Sequence, residues 1–438
     1  HQAREVAERA EVIFALHQSL LAKLKEGEML RLYQEMEMPL VRVLSAMEVE
    51  GVRLDQEVLI QMGQELEAGI DQLTEEIYEL AGEKFNINSP KQLGVILFEK
   101  LGLPPLKKTK TGFSTNAAVL EELAPRHKIV AKILEFRQLV KLKTTYIDGL
   151  KGLVDPVTSK VHTTYNQAIT ATGRLSSTEP NLQNIPVRLE QGRLLRKAFI
   201  PSAEEVLIVA ADYSQIELRV LAHISGDKNL VDAFRKKQDI HSRTAAEVFG
   251  VDMDQVTSEM RQKAKAVNFG IVYGISDYGL ARDLGISRKE ASQYIQLYFS
   301  RYPGVKEYIQ RVIQEAREKG YVTTLLHRRR YLPDLFSSNR NLRAFGERTA
   351  MNTPIQGSAA DIIKLAMLRI SEALQKYGLA SKMILQVHDE LIFEVPRKEL
   401  KLAIKLIREA MENALTLEVP LEVDIKGGPN WYQLEPMD

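Results

Sequence analysis

Apolar positions recur near helical spacing from the start of the chain. Val6, Ile13, Leu16, Leu20 and Leu24 sit among charges, so residues 3–37 are expected to form helix. Residues 40–80 continue as helices, interrupted at Gly51-Val52-Arg53-Leu54-Asp55. Ser89 followed by Pro90 marks another helix start, the serine as N-cap and the proline in the first turn. Lys107-Lys108-Thr109-Lys110-Thr111-Gly112 is too polar and turn-prone for a core element and is read as an exposed basic loop. From about residue 155 the pattern changes. Val161-His162-Thr163-Thr164-Tyr165 alternates and is β-branched, a strand signal. The run Val206-Leu207-Ile208-Val209-Ala210-Ala211 is continuously apolar up to Asp212, as in a strand buried on both faces. Ile216, Leu218, Val220, Leu221 and Ile224 then return to helical spacing as far as Gly226, and residues 228–320 are expected to be largely helical. Two more strand-like runs, 382–387 and 391–395, flank His388-Asp389-Glu390 in the manner of a hairpin. The fold class is therefore α+β: a sheet assembled from distant segments, a mostly helical insertion and a mostly helical N-terminal part.

Composition narrows the classes. With 438 residues, 45% of them hydrophobic, the chain can bury more than one core. No stretch of about 18 apolar residues suggests a membrane span, and the N-terminus lacks the basic-then-apolar layout of a signal peptide. Zero cysteines exclude disulfides and Cys-based zinc sites. The net charge of +1 argues against a uniformly basic nucleic-acid binder. Between Lys84 and Lys151, however, thirteen Lys/Arg stand against five Asp/Glu. Such an excess can meet phosphates, and it can equally be a solvated helical face.

Two aspartates are candidates for chemistry. Asp212 ends an apolar strand and Asp389 sits in the turn between two others. Strands hold a carboxylate at a fixed point, as a metal site requires. Two such groups brought together would repel unless a divalent cation neutralised them, and carboxylate oxygens with water and phosphate suit Mg²⁺. An Asp at a strand end is also often a turn or cap residue, and spacing does not say whether these two meet. Arg261, Lys265, Phe269 and Tyr273 recur every four residues, a stripe along one helix. Cations followed by rings suit a ligand with anionic and flat parts, such as a nucleoside triphosphate; an amphipathic helix with its aromatics in the core is the alternative.

At these residues the chain resembles family A DNA polymerases, and among them the bacterial DNA polymerase I enzymes of Bacillus-type organisms. The segment Arg261-Gln262-Lys263-Ala264-Lys265-Ala266-Val267-Asn268-Phe269-Gly270-Ile271-Val272-Tyr273-Gly274 resembles that family's fingers helix. Asp212-Tyr213-Ser214-Gln215-Ile216-Glu217-Leu218-Arg219 and Gln386-Val387-His388-Asp389-Glu390 resemble its two carboxylate motifs. Three further blocks match in order: Ala171-Thr172-Gly173-Arg174-Leu175-Ser176-Ser177, Pro180-Asn181-Leu182-Gln183-Asn184-Ile185-Pro186 and Thr353-Pro354-Ile355-Gln356-Gly357-Ser358-Ala359-Ala360-Asp361. The likeness runs from about residue 30 onward. Six ordered motifs are far more specific than any one of them.

The resemblance implies a right-hand polymerase fold with an antiparallel-sheet palm, helical fingers and a helical thumb. Residues 1–30 would be the remnant helix of an upstream exonuclease-like domain. Residues 31–55, 156–227 and 328–438 would form the palm, 56–155 the thumb and 228–327 the fingers. It implies primer-template DNA and deoxynucleoside triphosphates as partners, a monomer, and a bacterial cytoplasmic, nucleoid-associated setting in replication and repair. Two Mg²⁺ ions, replaceable by Mn²⁺, would be held by Asp212, Asp389 and the Tyr213 carbonyl, with Glu390 beside them. Gln215, His241, Arg261 and Lys265 would contact the incoming triphosphate, Lys265 also donating a proton to the leaving pyrophosphate. Phe269 would lie against the nucleotide, and Tyr273 would stack on the template and join Glu217 at the sugar 2′ position. Arg174, Gln356 and His388 would touch the primer-terminal pair, and Asn181, Gln183 and Asn352 the duplex and template. No second carboxylate cluster precedes the thumb, so neither proofreading nor 5′-nuclease activity is expected of this chain, which reads as a truncated fragment. A phage-type RNA polymerase is disfavoured by Glu217, which crowds a ribose 2′-hydroxyl. A silent binding module is disfavoured by the intact aspartates and helix cations, and a two-metal nuclease would have no use for the triphosphate-type helix.

Overall fold

The computed structural model of the chain describes residues 2–109, 112–186 and 190–437. Helix α1 (Gln2–Glu26) stands exposed, with Phe14 83% and Ile13 70% open to solvent. The expected single helix over 3–37 is broken after it. Glu28 adopts φ 56°, and the Gly27 and Met29 N–H groups close the turn onto the Lys23 and Leu24 carbonyls. Helix resumes at Leu30, widens to a π-turn over Tyr33–Glu37, and continues as α2 (Met38–Glu50), which buries Leu40, Val43, Leu44 and Met47. The change from π to α falls where Pro39 can supply no N–H to the ladder.

The break expected at 51–55 is a strand. Val52–Leu54 pairs antiparallel with Lys160–Val161 on one side and Phe199–Ile200 on the other. The strand expected over 161–165 is consequently two: Thr164–Asn166 pairs instead with Ser176–Thr178. Helix α3 (Gln56–Ala81) is capped by Asp55, whose carboxylate accepts the Glu57 and Val58 N–H groups, and ends at left-handed Gly82. It packs on α4 (Lys128–Lys141) around a core of its own that includes Ile77, Leu93, Leu120 and Ile133. The basic segment expected as a loop forms the arms of a short hairpin, Lys108–Thr109 against Gly112–Phe113; Lys110 and Thr111 lie outside the described residues.

The sheet that matters for the site has five antiparallel strands. These are β1 (Val206–Tyr213), β2 (Lys382–Val387), β3 (Glu390–Pro396), β4 (Val423–Gly428) and β5 (Glu435–Pro436), in the order β2-β3-β1-β4-β5. Alternation along β1 divides its side chains between two cores. Leu207, Val209, Ala211 and Tyr213 enter the large one, while Ile208 and Ala210 enter the core shared with Val52, Tyr146 and Trp431. Asp212 therefore continues the Ile208–Ala210 face.

Helix α5 (Ile216–Ser225) follows β1 directly and packs on the large core. The expected helical stretch 228–320 resolves into several helices, among them α6 (Ile240–Phe249), capped by Asp239, and α7 (Ser258–Val272), capped by Thr257. Helix α8 (Arg340–Lys376) runs 37 residues beneath the sheet with Pro354 inside it, and α9 (Leu400–Glu412) packs beside it. A methyl group at Gly357 of α8 would lie 2.5 Å from Thr324 Cγ2 and 3.0 Å from the Thr172 carbonyl. Only glycine lets the 170–174 loop sit so close. Among the described residues, no helix is long and apolar enough to cross a membrane.

Candidate active site

Antiparallel pairing brings the candidate carboxylates to one sheet end. Asp212 on β1 stands opposite Glu390 on β3 and opposite Asp424 on β4, and directly paired residues share a face. Asp389, in the β2–β3 turn, accepts the Tyr213 N–H on its main-chain oxygen at 3.2 Å. Tyr213 itself is anchored by its hydroxyl, which donates to the Met411 carbonyl at 2.7 Å. The two aspartates far apart in sequence are neighbours in space.

Their charge is poorly tolerated without a counter-ion. Partial desolvation, then Glu390, Asp389 and Asp424, push the Asp212 carboxyl up to about 7, with Lys426 pulling the other way. Burial raises Asp389 and Glu390 as well, opposed by Arg174 at the first and by Arg196 at the second. Arg174 Nη2 lies 4.0 Å from Asp389, and Arg196 Nη1 lies 4.0 Å from Glu390 while its guanidinium covers the Trp431 ring at 4.2 Å. Among the described residues no group of three His, Cys, Asp or Glu forms a closed metal cage. The side-chain donors brought together here are carboxylates. They suit a hard cation that keeps part of its shell for water and phosphate.

A second polar chain crosses the cleft. Glu217, 5% exposed, accepts Arg174 Nη2 at 2.6 Å and the Tyr273 hydroxyl at 2.9 Å. Burial raises the Glu217 carboxyl, countered by Arg174. Burial and the Glu217 charge push the Tyr273 hydroxyl up to about 12, and Gln356 also approaches it. Gln356 and Asn352 lie one turn apart on α8. Gln215 precedes α5 in the left-handed region, φ 55°, and His388 precedes Asp389 at φ 55°. The Gln183 amide bonds Gln386 Oε1 at 2.9 Å beneath the β2–β3 turn, and Asn181 caps the short turn that carries Gln183.

The stripe on α7 is amphipathic in the way the spacing suggests. Arg261 and Lys265 are exposed, Phe269 is half-buried and Tyr273 is 42% exposed, while Ala264, Val267, Asn268 and Ile271 are buried behind them. Phe269 packs against the His241 ring at 5.7 Å. His241 is buried, and Asn268 Nδ2 lies 3.0 Å from its Nδ1. The Asn268 oxygen is already taken by Thr244 Oγ1 at 3.1 Å, so the amide donates and the imidazole proton is left on Nε2. Burial, reinforced by Arg261 and Lys265, holds this histidine down to about 4. At neutral pH it is an uncharged donor, not a cation.

The sequence-predicted residues thus form two connected groups. Asp212, Tyr213, Asp389, Glu390, Arg174, Glu217, Tyr273 and Gln356 converge at the sheet end, and His241, Arg261, Lys265 and Phe269 line α6 and α7; Tyr273 joins them. Asn181 caps the turn that carries Gln183, and Asn352 lies on α8 one turn before Gln356. Sequence reasoning missed Asp424, Arg196 and Asp239. The alternation Val423-Asp424-Ile425-Lys426 carried a strand signal that could have marked the first of these.

Comparison with known proteins agrees with this geometry. The profile of DNA polymerase family A matches residues 56–433. DNA polymerase I of Geobacillus stearothermophilus is 59% identical over 430 residues, 98% of this chain and 49% of that protein; DNA polymerase I of Bacillus subtilis is 58% identical over the same shares. The chain spans about half the length of the curated relatives it matches. A solved structure, the POL domain of Pol1 from M. smegmatis in complex with DNA primer-template and dNTP, superposes with a TM-score of 0.94 at 45% identity, covering 99% of this chain and 76% of that one. The profile match over residues 56–433 and the shared architecture show the family: the chain belongs to DNA polymerase family A.

Proposed function

We propose that this chain extends a DNA primer on a DNA template, adding deoxynucleotides to the 3′-hydroxyl with release of pyrophosphate. The observation that carries this reading is the meeting of Asp212 and Asp389 at the end of one sheet, in a member of a polymerase family. In this reading 31–55, 156–227 and 328–438 form the palm, 56–155 the thumb and 228–327 the fingers. The DNA lies in the cleft between them.

Asp212 and Asp389, with the Tyr213 carbonyl, would hold two Mg²⁺ ions, and Glu390 would support them. Divalent ions bound there supply activation of the attacking 3′-oxygen and stabilisation of the leaving oxygen. The raised carboxyls of Asp212, Asp389 and Glu390 favour this reading, because a site that strains to ionise alone is relieved by a cation. Arg261 and Lys265 would bind the triphosphate. Lys265, exposed one turn along the helix, would protonate pyrophosphate as it leaves. The neutral His241 would donate from Nε2, and Gln215 would hold the phosphates at the start of α5. Phe269 would stack on the nucleotide, Glu217 would close the space at its 2′ carbon, and Tyr273 would cover the template base. Arg174, His388 and Gln356 would touch the terminal pair, where acceptors common to all base pairs allow a check of geometry without reading sequence. Gln183, Asn181 and Asn352 would hold the duplex. The setting we infer is replication and repair in a bacterial cytoplasm, by a monomer.

The test is primer extension with Asp389→Ala. Loss of roughly 10³-fold or more in nucleotide addition is expected, with primer-template affinity nearly unchanged. An Asp389→Ala enzyme that extends primers normally would sink the reading.

A further inference from the structure

Asp239 is a residue of the site to which the proposed function gives no task. Its carboxylate takes the Arg261 guanidinium edge-on: Nε donates to Oδ1 at 3.1 Å and Nη2 to Oδ2 at 2.8 Å. The same Oδ1 caps α6, accepting the Ser242 N–H at 2.6 Å. A cap alone does not require a charge, since serine or asparagine serves as well. The pairing is the two-pronged geometry with which a guanidinium also grips phosphate. It lies at the open end of the α7 stripe, Arg261 45% and Asp239 36% exposed by side chain, one turn before Lys265. Against the opposing effect of burial, the Arg261 fork and the Ser242 N–H keep Asp239 down to about 2, so it is ionised throughout the working range.

We propose that Asp239 is a positioning residue that holds Arg261 extended in the empty enzyme, ready for the triphosphate of the incoming nucleotide. A guanidinium has five N–H donors, and Asp239 occupies one on Nε and one on Nη2, so others remain for a phosphate. Without this partner an exposed arginine samples many rotamers, and ordering it falls on the binding step. Asp239 also offsets the positive charge that draws the triphosphate. Solvent screens that effect for a pair so open, and the holding role outweighs it. Because Asp239 begins the helix that carries His241 two residues later, one side chain sets the relation between Arg261 on α7 and His241 on α6.

This inference rests on the proposal that Arg261 binds the triphosphate, and the experiment separates the two. Asp239→Asn keeps the capping oxygen and removes the charge. Single-nucleotide addition is measured against dNTP concentration, and the reverse reaction against pyrophosphate concentration. Both KM values should rise together by roughly two- to tenfold, with kcat and duplex affinity little changed. In an Arg261→Ala background, Asp239→Asn should then add nothing. Unchanged or lowered KM values in Asp239→Asn, the outcome of a purely capping role, overturn the inference, as does an equal rise in both backgrounds, which an effect independent of Arg261 would give. If Arg261→Ala alone leaves both KM values unchanged, the triphosphate reading of Arg261 falls and the inference with it. If Arg261→Ala raises them and Asp239→Asn does not, only the inference falls.

Discussion

Asp212 stands directly opposite Glu390 across two antiparallel strands, with Asp424 opposite it on the other side. Three carboxylates in one row set up mutual repulsion at the end of the sheet. That repulsion predicts a pH-dependent stability. The Asp212 carboxyl has an ordinary value of 3.8 and is pushed up to about 7 in the folded chain, so between these values the folded state binds the extra proton. Stability contributed by the protonated form is complete below 3.8 and is lost as pH rises through about 7. In chelator, Tm should fall across this window. Added Mg²⁺ should recover more at the alkaline end than at the acid end, and Asp212→Asn should flatten both responses. Thermal melts with and without Mg²⁺ across this range check it; a Tm that rises with pH in chelator would contradict the electrostatics.

The Glu217 carboxylate is held between Arg174 and Tyr273 and is almost fully buried. Opening that space should admit a 2′-hydroxyl. Glu217→Ala is expected to raise ribonucleotide use relative to deoxynucleotide by roughly tenfold or more, the scale of losing one well-placed buried contact. Competition between rNTP and dNTP in single-nucleotide addition measures it. A parent enzyme that already uses both equally would remove the basis for the role.

Phe269 presents a ring without a hydroxyl to the face that we assign to the nucleotide sugar. A phenol at that position could donate a hydrogen bond where a dideoxynucleotide lacks its 3′-hydroxyl. Phe269→Tyr should therefore raise terminator incorporation markedly, by about tenfold or more if one charge-assisted hydrogen bond to phosphate is gained. The ratio of terminator to normal nucleotide use reports it, and no change in that ratio refutes the placement.

Beneath the 170–174 loop lies a buried ion network. Lys364, 1% exposed by side chain, donates to Glu37 at 2.8 Å, and Arg328 bridges Glu37 and Asp361. Gly173 packs so tightly on this arginine that a methyl group there would lie 2.4 Å from its Nε. Removing one buried charge leaves its partners uncompensated, so Lys364→Ala should destabilise by about 3–5 kcal/mol. Lys364→Arg, keeping the charge, should cost less. Denaturant unfolding of the two variants decides it; equal stabilities would show that the charge is not what matters.

Much of this was legible in one dimension. The apolar run 206–211 announced a buried strand because every second residue had to be apolar on both faces, and the structure divides those residues between two cores. The caps at Ser89 and the stripe on α7 are local, set by spacing of three or four residues, and both are present. Boundaries that depend on partners carry no local mark. Residues 52–54 read as a break because a three-residue strand carries no periodicity of its own and exists only through its pairing with 160–161 and 199–200.

Short-range pattern is enough for the inventory: two acidic strand ends, a cationic and aromatic helix, and their order. Folding is what brings Asp212 to Glu390, Asp389 and Asp424, pairs Asp239 with Arg261, and keeps His241 uncharged. Each of those depends on strand register, on desolvation or on contacts between segments up to about two hundred residues apart. Long-range pairing is a property of the packed whole, and no local pattern encodes it.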